Sequence, residues 1–589
     1  MKLKFLSFAS IFEGLKRVIV RFPITIALCV VGTCIGIALI HDENNPTYLR
    51  LLITLVLTVP LSVVVTLFIE AMGWRKEWSW FGVLALIALM SGYYTFLPEI
   101  DSPEAFTFYL RHGMWVAGSV LAVTFILFVR ESGVQAVLRF WEYGRRLLFS
   151  TFLTWFWSLA IQFGIFAALF ATDMLFDLEI PSERYTEIWA VILGLFATTF
   201  FLSRLPRSSD DLEKASYPKE VRLFSQFVLV PLVLVYFVIL YTYTAKILFT
   251  GEWPQGQLAY IILGFSVVGL LTYIALYPLR TQVSWIRHAG TALCIAMIPQ
   301  AFMLFWSLWF RVSDYGVTEN RYFVFIFGLW LIGVSLYFLV SRVKDLRLIP
   351  VSVVLIIFVT SVGPWGAFST AIRSQVGRLE SILEQNGRFE DGKYVASEIE
   401  LSDEDISQVS AVLNFLEERN AFNSVQVWLD EKVDFAEIKD RKRGEYFMQE
   451  GFKLSYSTHV PSYTRRISWG SYRSELGTVV GGYEYAFAFE SRGSTTQRFR
   501  VEGKDFSITL NDGSQEIEIS LDGKLLGSIS LREILQQEAD GRLSDEQPTV
   551  HVESDQFESL YVLGSFSARE EDGEISLSST TGMILLTLK

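Results

Sequence analysis

Long apolar runs separated by short polar loops fill roughly the first three-fifths of the chain, and short alternating stretches fill its last fifth. A helix needs about 20 apolar residues to cross a bilayer. Runs of that kind fall at 22–40, 51–73, 78–98, 113–129, 147–171, 186–203, 223–245, 258–279, 289–310, 322–340 and 348–367. The pattern therefore predicts about eleven transmembrane helices. Lys2, Lys4, Lys16, Arg17 and Arg21 precede the first run. A basic start followed by an apolar run also describes a signal peptide. This run is long enough to span and no small-residue cleavage site follows it, so a retained first span is expected. Residues 1–21 then read as a cytoplasmic amphipathic lead-in lying on the membrane surface.

Beyond residue 367 the period changes. Ile372, Val376, Leu379 and Leu383 recur at helical spacing, which predicts a helix over 370–385 ended by Asn386 and Gly387. Ser402 and Asp405 form a helix start, with Val409, Val412, Leu413 and Leu416 as the apolar face. Alternation predicts strands at 483–489, 497–501, 506–510, 517–521, 525–529, 550–553, 560–566, 574–578 and 583–588, with a helix over 531–538. Asn511-Asp512-Gly513 and Asp522-Gly523 supply hairpin turns. The expected architecture is a membrane all-α helical bundle (22–367) followed by a soluble α+β domain (368–589) with one antiparallel sheet or a small sandwich.

Charge follows the same division. Residues 1–366 carry 27 Lys+Arg and 23 Asp+Glu, against 23 and 39 in 367–589, so the net charges are +4 and −16. The acidic second part is a poor nucleic-acid binder. Orientation comes from the basic residues of the loops. With the N-terminus inside, the inside segments hold 21 Lys+Arg and the outside loops hold 6: Arg50, Arg111, Arg184, Lys246, Arg311 and Arg321. An odd number of spans then puts 368–589 on the outer, periplasmic or extracellular, side of the membrane. Cys29, Cys34 and Cys294 all lie in apolar runs, so no disulfide framework is expected. The five His are scattered, and neither a metal nor a cofactor is expected.

Few residues break the apolar runs. Pro60, Pro231 and Pro299 fall mid-run, and Gln162 and Gln300 lie deep. They fit either a polar cavity with broken helices or ordinary kinks and interhelical hydrogen bonds. No chain of carboxylates crosses the bilayer, as an ion-driven pump would require. Glu70, beside Arg75 and Lys76, reaches the interface. Gly32 and Gly36 have the spacing that lets two helices approach closely, with another span of this chain as the expected partner. Trp74, Trp78, Trp80, Trp253 and Trp285 read as interfacial belts.

The densest polar run between spans is 311–322, RVSDYGVTENRY. Together with 227–236 (FVLVPLVLVY), 239–247 (ILYTYTAKI), Tyr277-Pro278-Leu279-Arg280, Trp285-Ile286-Arg287, Trp330-Leu331 and 374–380 (SQVGRLE), it resembles a family of bacterial multi-pass membrane proteins catalogued as a domain of unknown function. The YGxTExRY run is the most specific feature of that resemblance. It implies a bacterial cytoplasmic membrane protein and brings no activity, cofactor or catalytic residue with it. The candidate site residues are Arg311, Asp314, Tyr315, Gly316, Thr318, Glu319, Arg321 and Tyr322. One reading is a structured turn that clamps two spans. In it Gly316 takes a positive φ, Thr318 or Glu319 serves a helix N-terminus, and Arg311 or Arg321 pairs with Asp314 or Glu319. The other is an external site for an anionic or glycan headgroup, with both arginines as donors.

His459, Tyr463, Thr464, Arg465, Arg466, Trp469, Tyr472 and Arg473 form a second polar cluster, which fits a glycan or phosphate site or an interdomain contact. No GxSxG, HExxH, GxxxxGK[ST] or GxGxxG motif occurs. Three function classes remain. The first is a non-enzymatic envelope protein that senses, scaffolds or binds through its outer domain. The second is a lipid or small-molecule transporter or flippase. The third is a membrane transferase using lipid-linked substrates, with Glu319 or Asp314 as its carboxylate. The expected partners are membrane lipids and, at the outer face, an envelope protein or a lipid-linked ligand.

Overall fold

The computed structural model describes residues 8–589 apart from 43–44, 75, 99–104, 179, 207–211, 213–216, 252–256, 398–400, 430–432, 434–442, 455–464, 471–482, 493–495, 502, 512–514, 540–547, 555 and 572–573. The chain packs as two compact units: 1–400 with 412–454, and 401–411 with 455–589.

Every expected span coincides with a helix. Among the described residues, eight helices are long and apolar enough to cross a membrane: Pro23–His41, Pro46–Met72, Val134–Phe176, Ser182–Ser203, Lys219–Thr250, Leu258–Thr281, Ser284–Tyr315 and Glu319–Val340. Trp80–Thr95 and Leu348–Ser361 are shorter apolar helices. The run at 113–129 lies in a helix, Ala105–Ala122, that starts earlier and ends earlier than its hydropathy, and Ile126–Phe128 follows as a 3-10 turn. Exposed large apolar side chains such as Phe163, Leu175 and Phe249 lie on helices of the first unit. Trp74, Trp80 and Trp285 are exposed as well, whereas the side chains of Trp78 and Trp253 lie outside the described residues.

Of the three mid-run prolines, Pro231 alone accompanies a change in its helix. Pro60 and Pro299 sit inside continuous helices. Pro231 follows a widened π turn, Ser225–Leu229, where its missing N–H breaks the ladder. Gly32 lies 3.7 Å from the Leu55 side chain when given a Cβ, so its close neighbour is a helix of the same chain. Glu70 is gripped by Arg21, Nε to Oε1 at 2.9 Å and Nη2 to Oε2 at 2.8 Å, while Arg21 also donates to the carbonyls of Leu205 and Pro206. Its side chain is tied there to the chain's own first helix, Phe8–Arg21.

The second unit is a sandwich. A five-stranded antiparallel sheet contains Arg465–Gly470, Phe557–Glu571, Glu574–Leu588 and Tyr485–Arg492 in that order, with Thr549–Glu553 also paired to Phe557–Glu571. A four-stranded sheet runs Thr496–Val501, Lys504–Asn511, Glu516–Leu521, Lys524–Ser530. Phe487 and Ile584 of the first and Phe506 and Ile519 of the second share one core. The expected hairpin at Asp522 and Gly523 has both residues at positive φ, 49° and 80°. The turn at Asn511 continues into residues that are not described.

The strands expected at 574–578 and 583–588 are one, Glu574–Leu588. Its partner absorbs the irregularity through register shifts at Leu563/Ser565 and Ser567/Ala568. Gly582 interrupts the alternation because the partner strand leaves no room there. A Cβ would lie 2.5 Å from the Val562 carbonyl and 2.6 Å from the Tyr561 ring. Overpacking of this kind costs about 1–3 kcal/mol. Gly582→Ala is therefore expected to speed amide hydrogen exchange along both strands in the full chain, and unchanged exchange would show that the close approach is relieved without cost.

Candidate functional site

The run 311–322 joins Ser284–Tyr315 to Glu319–Val340. Gly316 stops the first helix with φ +67° and donates its N–H to the Val312 carbonyl at 2.9 Å. A Cβ there would lie 2.9 Å from Gln375 Nε2 and 3.2 Å from Ser374 Oγ. Glycine is thus required both by the left-handed backbone and by the approach of the helix Ala367–Gln385.

That helix satisfies the turn's backbone. Ser374 Oγ accepts from Val317 N–H at 2.8 Å. Gln375, buried at 4% exposure, donates Nε2 to the Tyr315 carbonyl at 2.9 Å and the Val317 carbonyl at 3.2 Å. Carbonyls at a helix end have no partner within the helix, and the glutamine supplies one. Arg321 Nη1 donates to the carbonyls of Tyr315 and Gly316 at 3.1 and 2.6 Å. The Tyr315 ring lies near two guanidinium groups, Arg321 at 5.6 Å and Arg378 at 5.5 Å. Burial pushes the Arg378 guanidinium below its ordinary value. Tyr322 donates its hydroxyl to the Trp365 carbonyl at 2.8 Å.

Glu319 makes the strongest contact. It opens its helix, where the helix dipole favours a carboxylate. Arg419, one hundred residues later, grips both its oxygens, Nε to Oε1 at 2.6 Å and Nη2 to Oε2 at 3.0 Å. The two side chains are only 9% and 11% exposed. Arg419 Nη1 donates to the Phe415 carbonyl and to Glu418 Oε2, both at 3.0 Å, and the guanidinium stacks 3.5 Å from the Phe415 ring centroid.

The expected pairing of Arg321 with Glu319 is therefore replaced. The carboxylate goes to Arg419, and Arg321 goes to backbone carbonyls within its reach. Thr318 occupies the N-cap position, but its side chain makes no capping bond. Asp314 is exposed. Arg311 and Arg321 line a cavity of about 40 Å³ with Asn320, Ser307 and Tyr260. At ~10–15 Å³ for each water, it holds roughly three. Sequence reasoning did not connect Ser374, Gln375, Arg378 and Arg419 to the turn. The first three share one helical face at i, i+1 and i+4, which was the available signal. Arg419 had none.

Elsewhere, Gln300 is fully buried and donates to Thr244 Oγ1 of the helix Lys219–Thr250 at 3.4 Å. Gln162 is buried, and neither of its amide atoms has a hydrogen-bond partner among the described residues. His459, Tyr463, Thr464, Tyr472 and Arg473 lie outside the described residues. Arg465, Arg466 and Trp469 lie on a strand whose side chains are likewise not described. Among the described residues, no three His, Cys, Asp or Glu cluster as a metal site.

Breaking a buried pair by removing one partner costs about 3–5 kcal/mol. Arg419→Gln is expected to lower the unfolding temperature of the full chain and to expose the amides of 367–385 to faster hydrogen exchange. Wild-type behaviour in both measurements would show that the pair holds nothing together.

The model of a family described as "Domain of unknown function (DUF4153)" matches residues 25–386, which include the turn and the helix that holds it. An "Uncharacterized protein PM1469" of Pasteurella multocida (strain Pm70) is 24% identical over 229 residues, 38% of this chain and 39% of that protein. The matched region thus spans about two-fifths of that relative's length. No solved structure matches the chain.

Proposed function

The chain belongs to the DUF4153 family of membrane proteins of unknown function, and from that premise we propose that it is a non-enzymatic envelope protein that carries a β-rich module for recognition of an envelope partner. The observation that carries this reading is the use made of the 311–322 groups. Glu319, Arg321, Tyr322, the carbonyls of Tyr315 and Val317 and the Val317 N–H are all spent on Trp365, Ser374, Gln375, Arg419 or one another. Of the run's candidate side chains, Arg311, Asp314 and Thr318 take no part in these bonds. The turn reads as a clamp that fixes the first helix after the membrane domain to the ends of two spans.

Loop charge supports a cytoplasmic N-terminus in a bacterial inner membrane, with the turn and residues 368–589 at the outer face. A transferase that relied on Glu319 would need a free carboxylate, and both oxygens of this one are held by Arg419.

The test is purification of the full chain in native lipid discs, as wild type and as Arg321→Ala, with mass spectrometry of what accompanies each. The proposal expects one specific envelope protein retained by both. Recovery of no specific protein partner would overturn it. A lipid-linked sugar present with wild type and lost from Arg321→Ala would move the binding function to the turn.

A further inference from the structure

The helix Ser284–Tyr315 has the turn at its C-terminal end. Its N-terminal end helps to close a cavity of about 220 Å³, which also takes residues from the helices Lys219–Thr250, Leu258–Thr281 and Glu319–Val340 and from the loop after the last of these. Arg280, Arg287 and Lys344 line it, and no described carboxylate does. Asp345, next to Lys344 in sequence, and Glu131, whose carbonyl accepts from Arg347, are already committed. Asp345 is bound by Arg347 through both oxygens, and Glu131 by Arg139.

The cations are held there at a cost. Arg280 Nη1 is buried and has no hydrogen-bond partner among the described residues, while the guanidinium lies 5.0 Å from the Tyr277 ring centroid. A buried donor left unpaired is destabilising, the more so when charged. Lys344 has φ +52°, a left-handed backbone that side chains other than glycine, asparagine and aspartate rarely adopt. Its Nζ donates to the Phe338 carbonyl at the end of Glu319–Val340, which leaves two further N–H groups on the ammonium. Burial and then the neighbouring Arg280 push the Lys344 ammonium below the ordinary lysine value. Three like charges with no carboxylate among the described lining residues favour an anion in the space they surround.

Much of the rest of the wall is apolar, with Val230, Val233, Leu276, Ile286, Leu293 and Phe338 beside the hydroxyls of Thr272 and Thr291. Arginines and lysines at the ends of spans lie at headgroup depth. A site that is cationic at that level and apolar beside it matches an amphiphile with a phosphate. Basic pockets between transmembrane helices bind such headgroups. We propose that this cavity binds the phosphate of an anionic phospholipid through Arg280, Arg287 and Lys344, with an acyl chain along Val230, Val233, Leu276 and Ile286.

Native mass spectrometry of the full-length, delipidated protein tests this, with phosphatidylglycerol, phosphatidylcholine and inorganic phosphate as separate probes. Phosphatidylglycerol is expected to stay bound under activation that strips phosphatidylcholine. Arg280→Gln/Arg287→Gln should reduce the bound fraction at least tenfold. Lys344→Asn should reduce it in the same direction and keeps a residue that tolerates the left-handed backbone, so it carries the test if the double variant does not fold. Equal retention of the two lipids, or wild-type retention of phosphatidylglycerol in folded variants, would overturn the proposal. Inorganic phosphate binding as tightly as phosphatidylglycerol would overturn the lipid source in favour of a soluble phosphate compound.

Discussion

A carboxylate at the head of one membrane helix and a guanidinium one hundred residues further on meet almost out of water, and the organisation of the first compact unit depends on that meeting. Taking two ions out of water is expensive, and their attraction repays it only with good geometry and partners for the remaining donors. Here the geometry is a two-point fork, and the other arginine nitrogen is bonded to Phe415 and Glu418. Around this pair, the side chains of Ser374 and Gln375 and the hydroxyl of Tyr322 satisfy backbone groups or close short links. Removing Ser374 or Gln375 leaves part-buried backbone groups short of a partner, so the turn is specified as a set.

The two ends of the helix Ser284–Tyr315 treat charge in opposite ways. At the turn, the positive charge of Arg419 is answered by a carboxylate of the same chain, and Arg321 by backbone carbonyls. At the other end, Arg280, Arg287 and Lys344 gather without an acid among the described residues that line the cavity. The first arrangement is complete in itself. The second calls for an anion from the surroundings, and in a membrane that anion is the phosphate of a lipid.

The alternation of apolar and polar positions made the broad architecture legible. The helical runs, the helix after 367 and the strands of the sandwich other than Arg465–Gly470 follow from period and turn chemistry, and Gly316 was readable as a positive-φ residue from its place between two spans. Pairings over long separations were not readable. Arg419 follows the helix Asp403–Glu418 in an acid-rich stretch, and nothing local distinguishes it from a solvated base. Gly582 looked like a break between two strands because pattern alone does not separate a turn from a close approach of neighbouring backbone. Hydropathy falls at 367, while packing keeps 367–400 and 412–454 with the membrane helices, because polar clamps join segments that differ in apolar character.

The most direct measurement is a double-mutant cycle on Glu319→Gln and Arg419→Gln, read by equilibrium unfolding of the full chain in lipid discs. A clamp predicts a coupling energy of about 2 kcal/mol or more, since each single change strands a buried charge that the double change removes. Additivity within ~0.5 kcal/mol would contradict it and return Glu319 to the status of a carboxylate whose role lies elsewhere.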